Sequence, residues 1–86
     1  MKLKEGFVLR EIAGDTVVIP SGNTLNFDMM ITLNDTAAFL WKKLENGADE
    51  EQLINYLLEE YDVEADIAKD HVSKFVAKLK ENGLLE

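Results

Sequence analysis

Eighty-six residues, 47% of them hydrophobic, suffice for one globular domain with a limited core, so a single domain spanning residues 1–86 is expected. The net charge of −8, from 17 acidic against 9 basic residues, opposes nucleic acid, which calls for clustered Lys and Arg, and disfavours an anionic membrane surface. There is no cysteine for a disulfide or thiolate metal site, no apolar run of membrane-spanning length, and Met1–Glu5 is too short for a signal peptide, so a cytoplasmic location is the default expectation.

The first half of the chain reads as β structure. Phe7–Ile12 has the composition of a strand, Ala13-Gly14-Asp15 that of a short turn, and Thr16–Ile19 is β-branched throughout, so the two segments predict a hairpin. Pro20-Ser21-Gly22-Asn23 stops the second strand, because proline cannot donate to a ladder and glycine permits positive φ. A third strand follows from about Asn26 to Leu33, with Phe27, Met29, Ile31 and Leu33 two apart on one face.

The period then changes from two to 3.6. Ala37, Leu40, Trp41 and Leu44 form one stripe of a helix predicted from about Asp35 to Asn46, with Asn34, Asp35 or Thr36 available as its cap and Gly47 as its stop. A second helix starts at Asp49, where Gln52 completes a capping box, and its stripe is Leu53, Ile54, Leu57, Leu58 and Tyr61. A third runs from about Glu64 to Asn82 with the stripe Ala68, Val72, Phe75, Val76 and Leu79, and Gly83 ends it. Leu84-Leu85 is expected to fold back onto the core. Trp41 is expected in the core, whereas Phe39, off its helix's stripe, packs under the second helix or forms an exposed contact. The order βββααα describes an α+β, winged-helix-like domain: a three-stranded antiparallel sheet followed by three helices.

No catalytic constellation is legible. The single histidine, His71, lies mid-helix, there is no glycine-rich phosphate loop, and the carboxylate pairs Glu50-Glu51 and Glu59-Glu60 fall on presumed solvated helix faces. Asp66, Asp70 and His71 share one helix side, yet Asp-x-x-x-Asp is common by chance, so no metal and no cofactor is expected. The third helix mixes Lys69, Lys74, Lys78 and Lys80 with Glu64, Asp66, Asp70 and Glu81, unlike the basic recognition helix of a DNA-binding winged helix. Met29 and Met30 are adjacent, so one of them faces away from the core side, and methionine suits a surface that accepts varied apolar partners.

The sequence resembles the PqqD family over nearly the whole chain, loosely in the N-terminal strands and with most of the weight on residues 29–85. The resemblance rests on Leu33-Asn34 at the strand-to-helix junction, Leu40-Trp41 in the first helix, and Gly47 with Asp49 opening the second. It continues through Glu60-Tyr61-Asp62-Val63, then Val72, Phe75 and Leu79, and ends on Gly83-Leu84. It implies a non-enzymatic accessory protein that binds the leader of a ribosomally made precursor peptide. Such a protein presents the peptide to a modifying enzyme such as a radical S-adenosylmethionine protein, as in pyrroloquinoline quinone or related biosynthesis. The leader would add as a strand to the third strand, in a groove closed by the third helix. Met29, Met30, Ile31, Thr32 and Leu33 would form the strand side, and Ile67, Asp70, His71, Lys74, Phe75 and Lys78 the helix side. The segment Met29–Leu33 carries neither the proline nor the charge that usually blunts an edge strand, in keeping with strand addition. A monomer or weak dimer is expected. The competing readings are a winged-helix transcription regulator, which the charge opposes, and a small module that dimerises through the third-strand edge.

Overall fold

In a computed structural model, which describes residues 1–20 and 30–86, the elements follow in the order β1 (Phe7–Ile12), β2 (Asp15–Pro20), β3 (Ile31–Leu33), α1 (Asp35–Leu44), α2 (Glu50–Glu60) and α3 (Ala65–Glu81). The architecture is therefore the α+β order βββααα. The strands form one antiparallel sheet in the order β1-β2-β3. The expected start of the third strand and its residues Phe27 and Met29 lie outside the described residues.

The hairpin turn is tighter than the sequence suggests. Ile12 pairs with Asp15, so Asp15 opens β2 and only Ala13 and Gly14 make the turn, with φ of 52° and 87°. Two residues at positive φ make the mirror-image turn whose twist matches that of the flanking strands. Pro20 is the last paired residue of β2, opposite Phe7, a strand-terminal position where a missing donor is tolerated.

In β2 the neighbours Val17 and Val18 point to opposite faces, and both are buried. Val18 joins Leu33 in the main core, and Ile31 packs against it. From the helices this core takes Leu40, Trp41 and Leu44 of α1, Leu53 and Leu57 of α2, and Ala68, Val72, Phe75, Val76 and Leu79 of α3. The α3 stripe is the one its periodicity predicts. The α2 stripe is narrower: Leu53 and Leu57 are buried, Ile54 and Tyr61 half-buried, and Leu58 is exposed. Trp41 is 2% exposed, a core residue. Phe39 is half-buried and packs edge-on against Tyr61 with ring centroids 5.6 Å apart, under the second helix.

Side chains and backbone together close the helix ends. The Asn34 side chain accepts the Ala37 N–H at 2.8 Å and caps α1. Asp49 and Gln52 make a reciprocal capping box at α2, with bonds of 2.7 and 3.0 Å. Glu64 offers α3 no side-chain cap. At the other end of α3, Gly83 turns through φ 69°. Its N–H then reaches the Lys80 carbonyl, and the Leu84 N–H reaches the Leu79 carbonyl at 2.9 Å, the two bonds of a Schellman motif. That turn buries Leu84 and carries Leu85 into an antiparallel bridge with Leu3.

Candidate functional site

β3 is an edge. Among the described residues, no strand pairs with it on the side away from β2. Its register with β2 sets Thr16 opposite Leu33, Val17 opposite Thr32 and Val18 opposite Ile31. Cross-strand partners share a face, so Leu33 and Ile31 lie on the helical side with Val18, while Thr32 and Met30 are exposed. The backbone has its own parity. The Thr32 carbonyl accepts a bond from the Lys78 ammonium of α3 at 3.2 Å, so it points away from β2. The N–H of a strand residue leaves on the same side as its C=O, so both polar groups of Thr32 face outward and those of Ile31 and Leu33 face β2.

Beyond that edge lies an open groove of about 650 Å³ between β3, the start of α1 and the outer face of α3. Thr32, Leu33 and Asn34 form one wall, Thr36, Ala37 and Leu40 the floor toward α1, and His71, Lys74, Phe75 and Lys78 the other wall. The spacing of the α3 residues, at positions 71, 74, 75 and 78, is what keeps them on one helix face. Phe75 is shared, since it belongs to the core and also reaches the groove. Lys74 Nζ lies 2.9 Å from a carboxylate oxygen of Asp70 one turn earlier, and both side chains are largely exposed.

The structure thus brings together Thr32, Leu33, His71, Lys74, Phe75 and Lys78 from the two walls named by the sequence. Ile31 is turned toward the core instead of the groove. Met30 stands exposed just ahead of β3. Asp70 contributes through Lys74 and does not line the groove. Ile67 is 46% exposed in the first turn of α3, beyond the groove's end. Met29 lies outside the described residues. Sequence reasoning missed Asp15, Asn34, Thr36, Ala37 and Leu40 as lining residues. Asn34 and Ala37 were visible as a cap and a stripe position, but only the register Thr16–Leu33 brings Asp15 alongside Asn34. Among the described residues no three His, Asp or Glu side chains gather where a metal could be held.

A small sheet backed by three helices, with one strand edge open onto a helix-walled groove, has the geometry into which an extended peptide can add as a strand. The chain belongs to the PqqD family, described as coenzyme PQQ synthesis protein D, and the match runs over residues 7–85. Among curated proteins none matches it significantly. Its fold is that of TbiB1, solved in complex with the TbiA(beta) leader peptide, with a TM-score of 0.78 and 23% identity over 100% of this chain and 95% of that one. It is also similar to a lasso peptide synthetase B1 complexed with the leader peptide, with a TM-score of 0.73 and 28% identity over 96% of this chain and 93% of that one.

Proposed function

We propose that this chain binds the leader segment of a ribosomally made precursor peptide and presents it to a modifying enzyme, without catalysing a reaction itself. The observation that carries the reading is the outward-facing backbone of Thr32 on the side of β3 that, among the described residues, has no partner strand, beside the α3 groove. An extended peptide laid along β3 would take its main-chain bonds there, while Leu33 and Phe75, largely buried, offer their apolar edges and His71, Lys74 and Lys78 offer polar contacts. On this reading Met30, just ahead of β3, extends the strand side, the backbone of Ile31 continues the strand, and Ile67 and Asp70 flank the helix side; the resemblance also assigns Met29, outside the described residues, to the strand side. Membership of the PqqD family and the two neighbours solved with leader peptides support the same ligand class. The partner enzyme on this reading is a radical S-adenosylmethionine protein or another peptide-modifying enzyme, and the place of action is the cytoplasm, where precursor peptides are made. No helix among the described residues is long and apolar enough to cross a membrane. The exposed face of α3, where Lys74 is already tied to Asp70, lacks the basic stripe that a duplex-binding winged helix needs.

Amide hydrogen exchange tests the proposal, with synthetic leaders taken from short reading frames beside the gene. In the free protein the Ile31 and Leu33 amides, facing β2, should exchange slowly and the Thr32 amide quickly. A bound leader should slow Thr32 by at least about tenfold, which corresponds to roughly 1.4 kcal/mol of added protection. A leader that binds while Thr32 exchange stays unchanged would place the docking surface elsewhere.

A further inference from the structure

The charge of this chain is unevenly placed. Residues 49–70 hold nine of its 17 acidic residues and one of its nine basic ones, Lys69, so this segment carries −8 and the other 64 residues balance to zero. Its centre is the corner where α2 turns into α3. There residues 58–67 read Leu-Glu-Glu-Tyr-Asp-Val-Glu-Ala-Asp-Ile: five carboxylates, no base, and an apolar residue at each of the other five places. All are exposed except Tyr61, which is half-buried. Leu58, Val63 and Ile67 are three of the five large apolar residues left exposed among the described residues, the others being Ile12 and Met30. Exposed apolar side chains scattered singly need no explanation, whereas three within ten residues do. Folding does not account for all of the charge either. Glu64 and Asp66 lie at the end of α3 that favours acids, but Glu59 and Glu60 stand in the last turn of α2, where the negative end of the helix dipole opposes them and no basic residue offsets them. Among the described residues none of these carboxylates is in an ion pair.

We infer that the α2–α3 corner is the surface on which the peptide-modifying enzyme docks, and that the enzyme meets it with Lys and Arg side chains set around an apolar centre. This rests on the presenting role proposed above and gives that role a surface of its own, outside the groove. Charge selects the occupant. A second copy of the chain would bring the same negative corner, and nucleic acid or an anionic membrane would be repelled in the same way. A basic protein surface is attracted, steered into contact and oriented by the carboxylates, while Leu58, Val63 and Ile67 supply the apolar contact. The place in the fold suits the role. Ile67 shares a face of α3 with His71, Lys74 and Lys78, by its spacing of four, seven and eleven residues, and stands just beyond the end of the groove they line. A peptide that leaves the groove past His71 runs along that face toward Ile67, so an enzyme seated on the corner stands where the chain emerges.

The test uses the intact protein and the purified peptide-modifying enzyme encoded beside its gene, titrated with and without the leader at low and high salt. Glu59→Lys together with Glu60→Lys should weaken enzyme binding by about tenfold, chiefly through the association rate, and should flatten its salt dependence. The melting temperature should not fall, because lysine suits the C-terminal turn of a helix. Leu58→Gln, at an exposed helix position, should weaken enzyme binding by about fivefold through lost apolar contact. Both proteins should bind the leader as the parent does, since none of the three positions lines the groove. Glu5→Lys with Glu45→Lys makes the same change of net charge near the chain ends and should hold enzyme binding within about twofold, because charges far from the contact are screened. A Glu59→Lys, Glu60→Lys protein that binds the enzyme as tightly as the parent, an equal loss in the Glu5–Glu45 variant, or a parent that binds no enzyme with or without leader overturns the assignment. If no leader slows Thr32 exchange in the parent, the strand-addition reading fails by itself, and the titrations without peptide still decide whether the corner is the docking surface.

Discussion

The two outer strands of the one sheet are guarded differently. β1, six residues long, carries its own charges, Arg10 and Glu11, both exposed, and its turn is closed by two residues at positive φ. The described part of β3 carries no charge at all, and the cation at its edge, Lys78, is borrowed from α3. A charge on an edge strand travels with the strand and opposes every chain that tries to pair. A charge on a neighbouring helix can be withdrawn by a side-chain rotation.

The comparison depends first on the core that sets α3 at its distance from β3. Trp41 lies in one buried cluster with Leu33 of β3 and with Val72, Phe75 and Leu79 of α3. Trp41→Ala should lower stability by about 3–5 kcal/mol, the usual magnitude for emptying an aromatic site. Against a typical total of roughly 5–15 kcal/mol, this is enough to leave much of a small domain unfolded. Urea unfolding followed by circular dichroism measures it, and a midpoint equal to the parent's would show that the indole does not tie the two walls together.

The next effect separates the inner from the outer backbone of β3. Ile31 offers its N–H to β2, so Ile31→Pro leaves a ladder acceptor without its donor and should cost about 1–3 kcal/mol. Thr32 faces the groove, so Thr32→Pro should leave the melting temperature within a few degrees of the parent while abolishing binding of the leader. Thr32→Ala, which keeps the main chain, should bind nearly as well as wild type. If Thr32→Pro unfolds the protein and Ile31→Pro does not, the backbone parity deduced from the Lys78 bond is reversed.

Much of this arrangement was legible in the chain, and the limits of legibility are physical. The switch of period at Asn34 located both the edge strand and the first helix, and the Asn34 side chain does cap α1. The stripe Ala68, Val72, Phe75, Val76 and Leu79 fixed which face of α3 is inward, hence which residues are left for the groove. Local spacing carries no information on which of two adjacent strand residues turns its backbone outward, because that depends on register with β2. It likewise gave Asp15 to a turn, although pairing across the sheet brings that residue to the groove. The described strand Ile31–Leu33 carries no charge of its own, and the cation bonded to its edge, Lys78, lies 46 residues beyond Thr32 in the chain, outside any local pattern. Ile67, which the family resemblance assigns to the helix side, stands 46% exposed in the first turn of α3 and is not among the residues that line the groove.

The smallest effect sharpens the comparison most, because it asks whether the borrowed charge is Lys78 alone. Asp70 precedes Lys74 by one helical turn, the orientation in which an acidic and a basic side chain support each other, and both are largely exposed. Asp70→Asn should therefore lower stability by no more than about 0.5 kcal/mol. Its consequence for the groove is larger than its consequence for the fold, because Lys74 loses its carboxylate and becomes a second uncompensated cation beside His71 and Phe75. Binding of an acidic peptide should become tighter at low salt and more sensitive to added salt than in wild type, since exposed charges are screened over roughly 10 Å at 0.1 M. Titrations of one acidic peptide against both proteins at two ionic strengths measure the difference. Parallel salt dependences would mean that removing Asp70 does not release Lys74 to the peptide.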